Sequence, residues 1–112
     1  MNFNLGDLMS KVKELQSKLQ EAREGLKNIS ATAESGAGLV RVTVNGNRQV
    51  ISIEIENELI KPEEKEMLQD LIVAAVNKAI QEVEHKIVEY IRQITGGIVP
   101  EMPNFDLGKF GF

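Results

Sequence analysis

There is no cysteine among the 112 residues. Disulfide frameworks and thiolate metal sites are therefore excluded, and the chain suits a reducing compartment. Tryptophan is also absent, tyrosine occurs once (Tyr90), and aromatics make up only 4 %. Any core must be aliphatic, drawn from Leu, Ile, Val and Ala. A single domain of this size buries a modest share of its surface, so a partner subunit would help it. No apolar run approaches the roughly 20 residues of a membrane span. The opening MNFNLGDLMSKVKELQ has neither a basic start nor a signal-like apolar run. The expectation is a soluble cytoplasmic protein with no membrane partner.

An excess of positive charge is missing too. The formal net charge is −4, which taken alone argues against a nucleic-acid partner. The charge is uneven, however. Residues 1–61 hold eight Lys/Arg and eight Asp/Glu, whereas residues 62–112 hold five and nine. An anion-binding surface is expected in the first half.

Catalytic signals are equally scarce. His85 is the only histidine, and it has no cysteine to activate. Its neighbours Glu82 and Glu84 do not form a ligand spacing. The acids lie on outward helix faces, where they usually serve solubility. Asn28-Ile29-Ser30 matches a glycosylation acceptor without a secretory signal beside it. The stretch SGAGLVRVTVNG, residues 35–46, raises the question of a phosphate loop. Such a loop needs glycines after a strand and at a helix N-terminus. Here the glycines precede a strand, and the Walker lysine and GxGxxG are both absent. The stretch reads as a tight corner needing positive φ. Neither an enzyme nor a cofactor is expected.

What is present is strongly periodic. Leu5, Leu8, Val12, Leu15, Leu19, Ala22, Leu26 and Ile29 recur at spacings of 3 and 4. That heptad seam predicts a first helix of about 25 residues. With Leu5 at position a, Lys11 and Lys18 fall at g, Arg23 at e, and Lys13 and Lys27 at b. Bases flank the seam, so two such helices in parallel would bring bases near bases, and an acidic helix is the better partner. Pro62-Glu63-Glu64 starts one. Its apolar stripe runs from Leu68 to Ile94, and Gly96-Gly97 should stop it. From Glu63 to Ile94 it holds seven acids and four bases.

Between the helices, Val40, Val42 and Val44 alternate with polar residues, as do Ile51, Ile53 and Ile55. Period two predicts strands with one buried face. A two-residue Asn45-Gly46 turn would pair Val44 with Asn47 and Val40 with Ile51, and would set Arg41 near Arg48. Ala31 to Ser35 predicts a weaker strand. The whole is one helix–sheet–helix domain over residues 1–95, followed by a Gly/Pro-rich tail, 96–112. That tail is expected to be mobile or to dock loosely. Its Phe105, Phe110 and Phe112 are read as part of a disordered end rather than as a recognition element.

Binding is the function the residues leave open. Lys11, Lys13, Lys18, Arg23 and Lys27 lie along the first helix and could neutralise phosphates along a duplex. No aromatic platform accompanies them for single strands. The alternative is that they are ordinary solvated or salt-bridging residues.

Taken in order, NLGDLMSKVKELQSKLQEA, ESGAGLVRVTVNG (34–46), VISIEIENELI and EMLQDLIVAAVNKA (66–79) resemble the YbaB/EbfC family of small bacterial nucleoid-associated proteins. The resemblance covers nearly the whole chain. It implies an α+β fold of a long helix, a three-stranded antiparallel sheet and a long helix, assembled as a tweezer-like homodimer. It also implies binding of double-stranded DNA with little sequence demand, at the nucleoid, with a role in nucleoid organisation or gene expression. The family's DNA contacts are attributed to its helical arms. The matching positions here are Lys11, Lys13, Lys18, Arg23 and Lys27, with Lys78, Lys86 and Arg92 as weaker candidates. The other reading kept open is a dimeric protein–protein interaction module without DNA binding.

Overall fold

A computed structural model describes residues 4–96 of the chain. Its elements are α1 (Leu5–Gly25), β1 (Ser30–Ser35), β2 (Val40–Asn45), β3 (Val50–Ile55) and α2 (Lys65–Ile94). The three strands form one antiparallel sheet in the order β1-β2-β3. The chain divides into two compact units. One holds Leu26–Val88, and the other holds α1 and the end of α2 from Glu89 on.

The sheet unit is built on period-two burial. Val40, Val42 and Val44 of β2 are fully buried, and Ala31 and Ala33 of β1 nearly so. On α2, Ala75, Ala79, Val83 and Ile87 are fully buried. A spacing of four places them on one helix face. Two hydrogen bonds set its direction. Ser35 Oγ donates to Leu71 O at 2.6 Å, and Lys86 Nζ donates to Ser30 O at 2.7 Å. These bonds tie Leu71 to one end of β1 and Lys86 to the other, so α2 runs opposite to that strand.

The corner before β2 is as the sequence predicts. Gly36, Ala37 and Gly38 have φ of 60°, 55° and 92°, a left-handed run that glycine tolerates and alanine adopts at a cost. The hairpin register is not as predicted. Val40 faces Ile55, Arg41 faces Glu54, Val42 faces Ile53 and Val44 faces Val50, with a bulge beside Val44. The connection is longer than a two-residue turn. Asn45 N–H donates to Gln49 O at 3.0 Å, Arg48 N–H donates to Asn45 O at 2.9 Å, and Arg48 takes the left-handed φ of 62°. Asn45 still organises the turn, because its Oδ1 accepts from Asn47 and Gln49 N–H at 2.9 and 3.1 Å. Gly46 has another task. Its N–H donates to Ile29 O at 2.8 Å, and an added Cβ would stand 2.2 Å from Leu26 O. Tertiary contact with the chain leading into β1 therefore overrides the tight-turn geometry that Asn-Gly suggests.

The apolar set on β3 is also less enclosed than period two predicts. Val50, Ile51 and Ile53 are 45, 55 and 44 % exposed. The buried face of the sheet unit centres on β1 and β2, and β3 forms its uncovered edge.

In the other unit, Asn4 caps α1: its Oδ1 accepts from Gly6 N–H at 2.9 Å. The helix spans 21 residues, about 31 Å, and is shorter than predicted. It tightens after Gly25 into a 3-10 turn, Leu26–Asn28, because β1 must begin at Ser30. The last two seam positions, Leu26 and Ile29, therefore lie outside the helix. Leu19 and Ala22 of α1 are buried, as are Ile91 and Thr95 at the end of α2. Gly25 lies close against the Tyr90 hydroxyl. The second helix begins through a 3-10 turn at Pro62–Glu64, and Gly96 closes it with a left-handed φ of 66°. Gly97 and the Phe-bearing tail lie outside the described residues.

Candidate nucleic-acid interface

The bases of α1 do not form one face. At 100° per residue, Lys11 and Lys18 lie on one flank of the seam, Arg23 on the other, and Lys13 on the back. Lys27 is not on the helix at all, since it sits in the 3-10 turn that follows. Lys11 and Lys18 stand seven residues apart, about 10.5 Å along the axis. That distance spans about three base-pair rises of a duplex.

Acids share the helix. Between Leu5 and Gly25 there are four bases and four acids, so α1 carries no net charge. Lys18 Nζ pairs with Glu14 Oε1 at 3.3 Å, with Lys18 half-buried and Glu14 exposed. Such a pair contributes little and gives way readily to a phosphate. Arg23 donates to Gln20 Oε1 on its own helix. Lys11 and Lys13 are exposed and make no ion pair among the described residues. On α1 they are the bases most ready to meet an external anion.

Other bases are committed elsewhere. Arg41, on the central strand, is held from both sides. Its Nε and Nη2 donate to Glu34 Oε1 at 2.9 and 2.7 Å, and Nη1 lies 3.6 Å from Glu54 Oε2. The hydrogen bond and charge of Glu34, with the charge of Glu54, raise the Arg41 pKa above its ordinary value. Arg48 pairs with Glu84 of α2, and its Nη2 donates to Glu84 Oε2 at 3.1 Å. The two arginines therefore serve different acids and do not make the joint basic patch expected from a tight turn. Lys86 holds β1 through Ser30 O, a structural role that sequence reasoning missed. Its only signal was a base placed one step from the buried Ile87 stripe. Arg92 approaches Glu89 on its own helix at 3.7 Å. Lys78 is exposed on α2.

Among the described residues no three His, Asp or Glu side chains converge as a metal site. None of the helices there is long and apolar enough to cross a membrane.

The fold is that of an α+β helix–sheet–helix protein whose first helix carries bases on both flanks and the back. The sequence model of the YbaB/EbfC DNA-binding family matches residues 1–98. A nucleoid-associated protein of Bartonella bacilliformis is 38 % identical over 93 % of this chain and 95 % of its own. One from Chlorobium phaeobacteroides is 35 % identical over 95 and 96 %, and one from Legionella pneumophila is 40 % identical over 88 and 87 %. An uncharacterised Helicobacter pylori protein shares the fold, with a TM-score of 0.68 at 22 % identity over 83 % of this chain and 98 % of that one. The chain belongs to the YbaB/EbfC family of nucleoid-associated DNA-binding proteins.

Proposed function

We propose that this protein binds duplex DNA as a homodimer, through backbone phosphates rather than base edges, in the cytoplasm at the nucleoid. Its role there is nucleoid organisation or gene expression. Lys11, Lys13, Lys18, Arg23 and Lys27 are the contacts assigned. The observation that carries this reading is the set of exposed bases on α1, Lys11, Lys13 and Arg23, in a chain of a DNA-binding family. Lysine point charges on a helix suit phosphate positioning and carry no sequence information. The four acids interspersed with them on α1 imply modest affinity.

The dimer is supported by β3. A free strand edge bearing exposed Val50, Ile51 and Ile53 is a liability in a lone molecule. A second copy of the same edge would cover it by a self-complementary two-fold contact.

Salt provides the test. If all five bases of one copy neutralise phosphates, log affinity falls with log salt at a slope of about −4.5. Between about 50 and 200 mM salt that is a loss of about 500-fold. A mobility-shift titration on mixed-sequence duplexes reads this directly. Absence of binding at low salt rejects the proposal and leaves a dimeric protein–protein interaction module, to which the exposed apolar edge of β3 is equally suited.

A further inference from the structure

The α1 seam is filled over only part of its length. Leu19 and Ala22 are buried, while Leu5, Leu8 and Val12 are 64, 43 and 43 % exposed. Among the described residues, Lys11, Val12, Glu14, Leu15 and Lys18 line one wall of a groove there. The open seam from Leu5 to Leu15 is about 15 Å long. A helix with so much uncovered apolar face is only marginally stable in water, so an occupant would stabilise it.

Two occupants are available from this chain's own sequence. A second α1 would set seam against seam. Set parallel, Lys18 would face Arg23 of the other helix while Lys11 met Gln16, and set antiparallel, Lys11 would face Lys18, so base meets base in either direction, which is unfavourable. Residues 97–112, GIVPEMPNFDLGKFGF, have the opposite character. They offer Ile98, Val99, Met102, Phe105, Phe110 and Phe112, with Glu101 and Asp106 against one base, Lys109, so the segment is acidic by one charge. They also start in the right place, because α2 ends at Ile94 within the same compact unit as α1. Sixteen residues reach up to about 53 Å when extended, more than three times the open seam.

We infer that the segment 97–112 docks on the open seam of α1, apolar side chains against Leu5, Leu8 and Val12 and acids toward Lys11 and Lys18. Aromatic side chains suit such a groove, since each brings a large apolar area on few rotatable bonds. The docked segment covers two bases assigned to DNA, so docking and DNA binding compete. That consequence rests on the DNA reading, whereas docking itself does not.

The test uses the full chain with a photo-reactive group at the open seam, Val12→p-benzoylphenylalanine. Irradiation and peptide mapping should join this position to residues 97–112. The same group at Ser17, on the back of the helix, should not make that link. Independently, Phe105→Ser, Phe110→Ser and Phe112→Ser together should speed amide exchange over residues 8–18 by at least about tenfold, with β2 unchanged. A Val12 link only to another α1, or no link to the segment, overturns the inference, as does unaltered exchange in the triple variant. The triple variant should also bind duplex DNA severalfold more tightly at fixed salt. If docking is lost and DNA affinity stays the same, the competition is wrong. If the unmodified protein binds no DNA while the link to 97–112 forms, the DNA reading fails and docking stands.

Discussion

Replacing Gly46 by alanine places a methyl carbon 2.2 Å from the Leu26 carbonyl oxygen, 2.9 Å from its carbonyl carbon and 3.1 Å from its Cα. All three are backbone atoms, so no rotamer change relieves the clash. The loop must retreat by about 1 Å to reach ordinary contact. That movement breaks the 2.8 Å hydrogen bond from Gly46 N–H to Ile29 O. Leaving a buried backbone pair unmade costs about 1–3 kcal/mol, and the overpacking costs a further 1–3 kcal/mol or so. The sum, about 2–6 kcal/mol, is a large part of a typical stability of about 5–15 kcal/mol. With a urea dependence of about 2 kcal/mol per molar, the middle of the usual range, the unfolding midpoint should fall by roughly 1–3 M. Protein concentration must be matched between variants, because an associating chain has concentration-dependent stability. Two controls sharpen the reading. Gly46→Asn should lose at least as much as alanine. A glycine needed only for a left-handed turn would tolerate asparagine best. Gly25→Ala also meets an atom at 2.0 Å, but that atom is the Tyr90 hydroxyl. A flexible side chain can swing aside, and alanine gains up to about 1 kcal/mol over glycine in a helix. That variant should be near neutral. A Gly46→Ala midpoint within about 0.2 M of the parent would refute the close-approach account of this hairpin.

Three further outcomes are expected. Ile53→Glu, at a position 44 % exposed, should keep the circular dichroism of the parent and sediment as a monomer; an unchanged dimer would move the contact away from β3. Alanine at Lys11, Lys18 and Arg23 together should weaken DNA binding equally for unrelated sequences and flatten the salt slope by about 0.9 for each phosphate no longer neutralised. Sequence-dependent losses in a mobility-shift panel would mean base readout instead. Lys86→Met keeps the aliphatic stem and removes the bond to Ser30 O, so denaturation should show a loss of about 0.5–1.5 kcal/mol with the DNA salt slope unchanged. A reduced slope would place Lys86 in the interface.

Much of the fold was legible because it rests on local patterns. Spacings of 3 and 4 from Leu5 onward announced α1. The Val40-Val42-Val44 alternation announced β2, and Pro62-Glu63-Glu64 with Gly96 bounded the second helix. Gly36-Ala37-Gly38 gave away its left-handed corner through composition alone. The candidate bases were legible as residues on a periodic element. Their partners were not. Nothing near Arg48 in sequence announces Glu84, and nothing near Lys86 announces the carbonyl of Ser30. Arg41 looked free on a solvent face until its register set Glu34 and Glu54 opposite.

The sequence alone determined the order helix–sheet–helix, the aliphatic core and the family, because periodicity, turn residues and motif strings are properties of short windows. Tertiary structure decided how the hairpin pairs, where α1 stops, which bases remain exposed to an anion and which seam residues stay open. Each of these depends on two segments far apart in the chain competing for one space. Gly46 shows the reason most simply. Its neighbours specify a tight turn, but the backbone of Leu26 and Ile29 claims it first, and a contact between distant backbones leaves no mark in the local pattern.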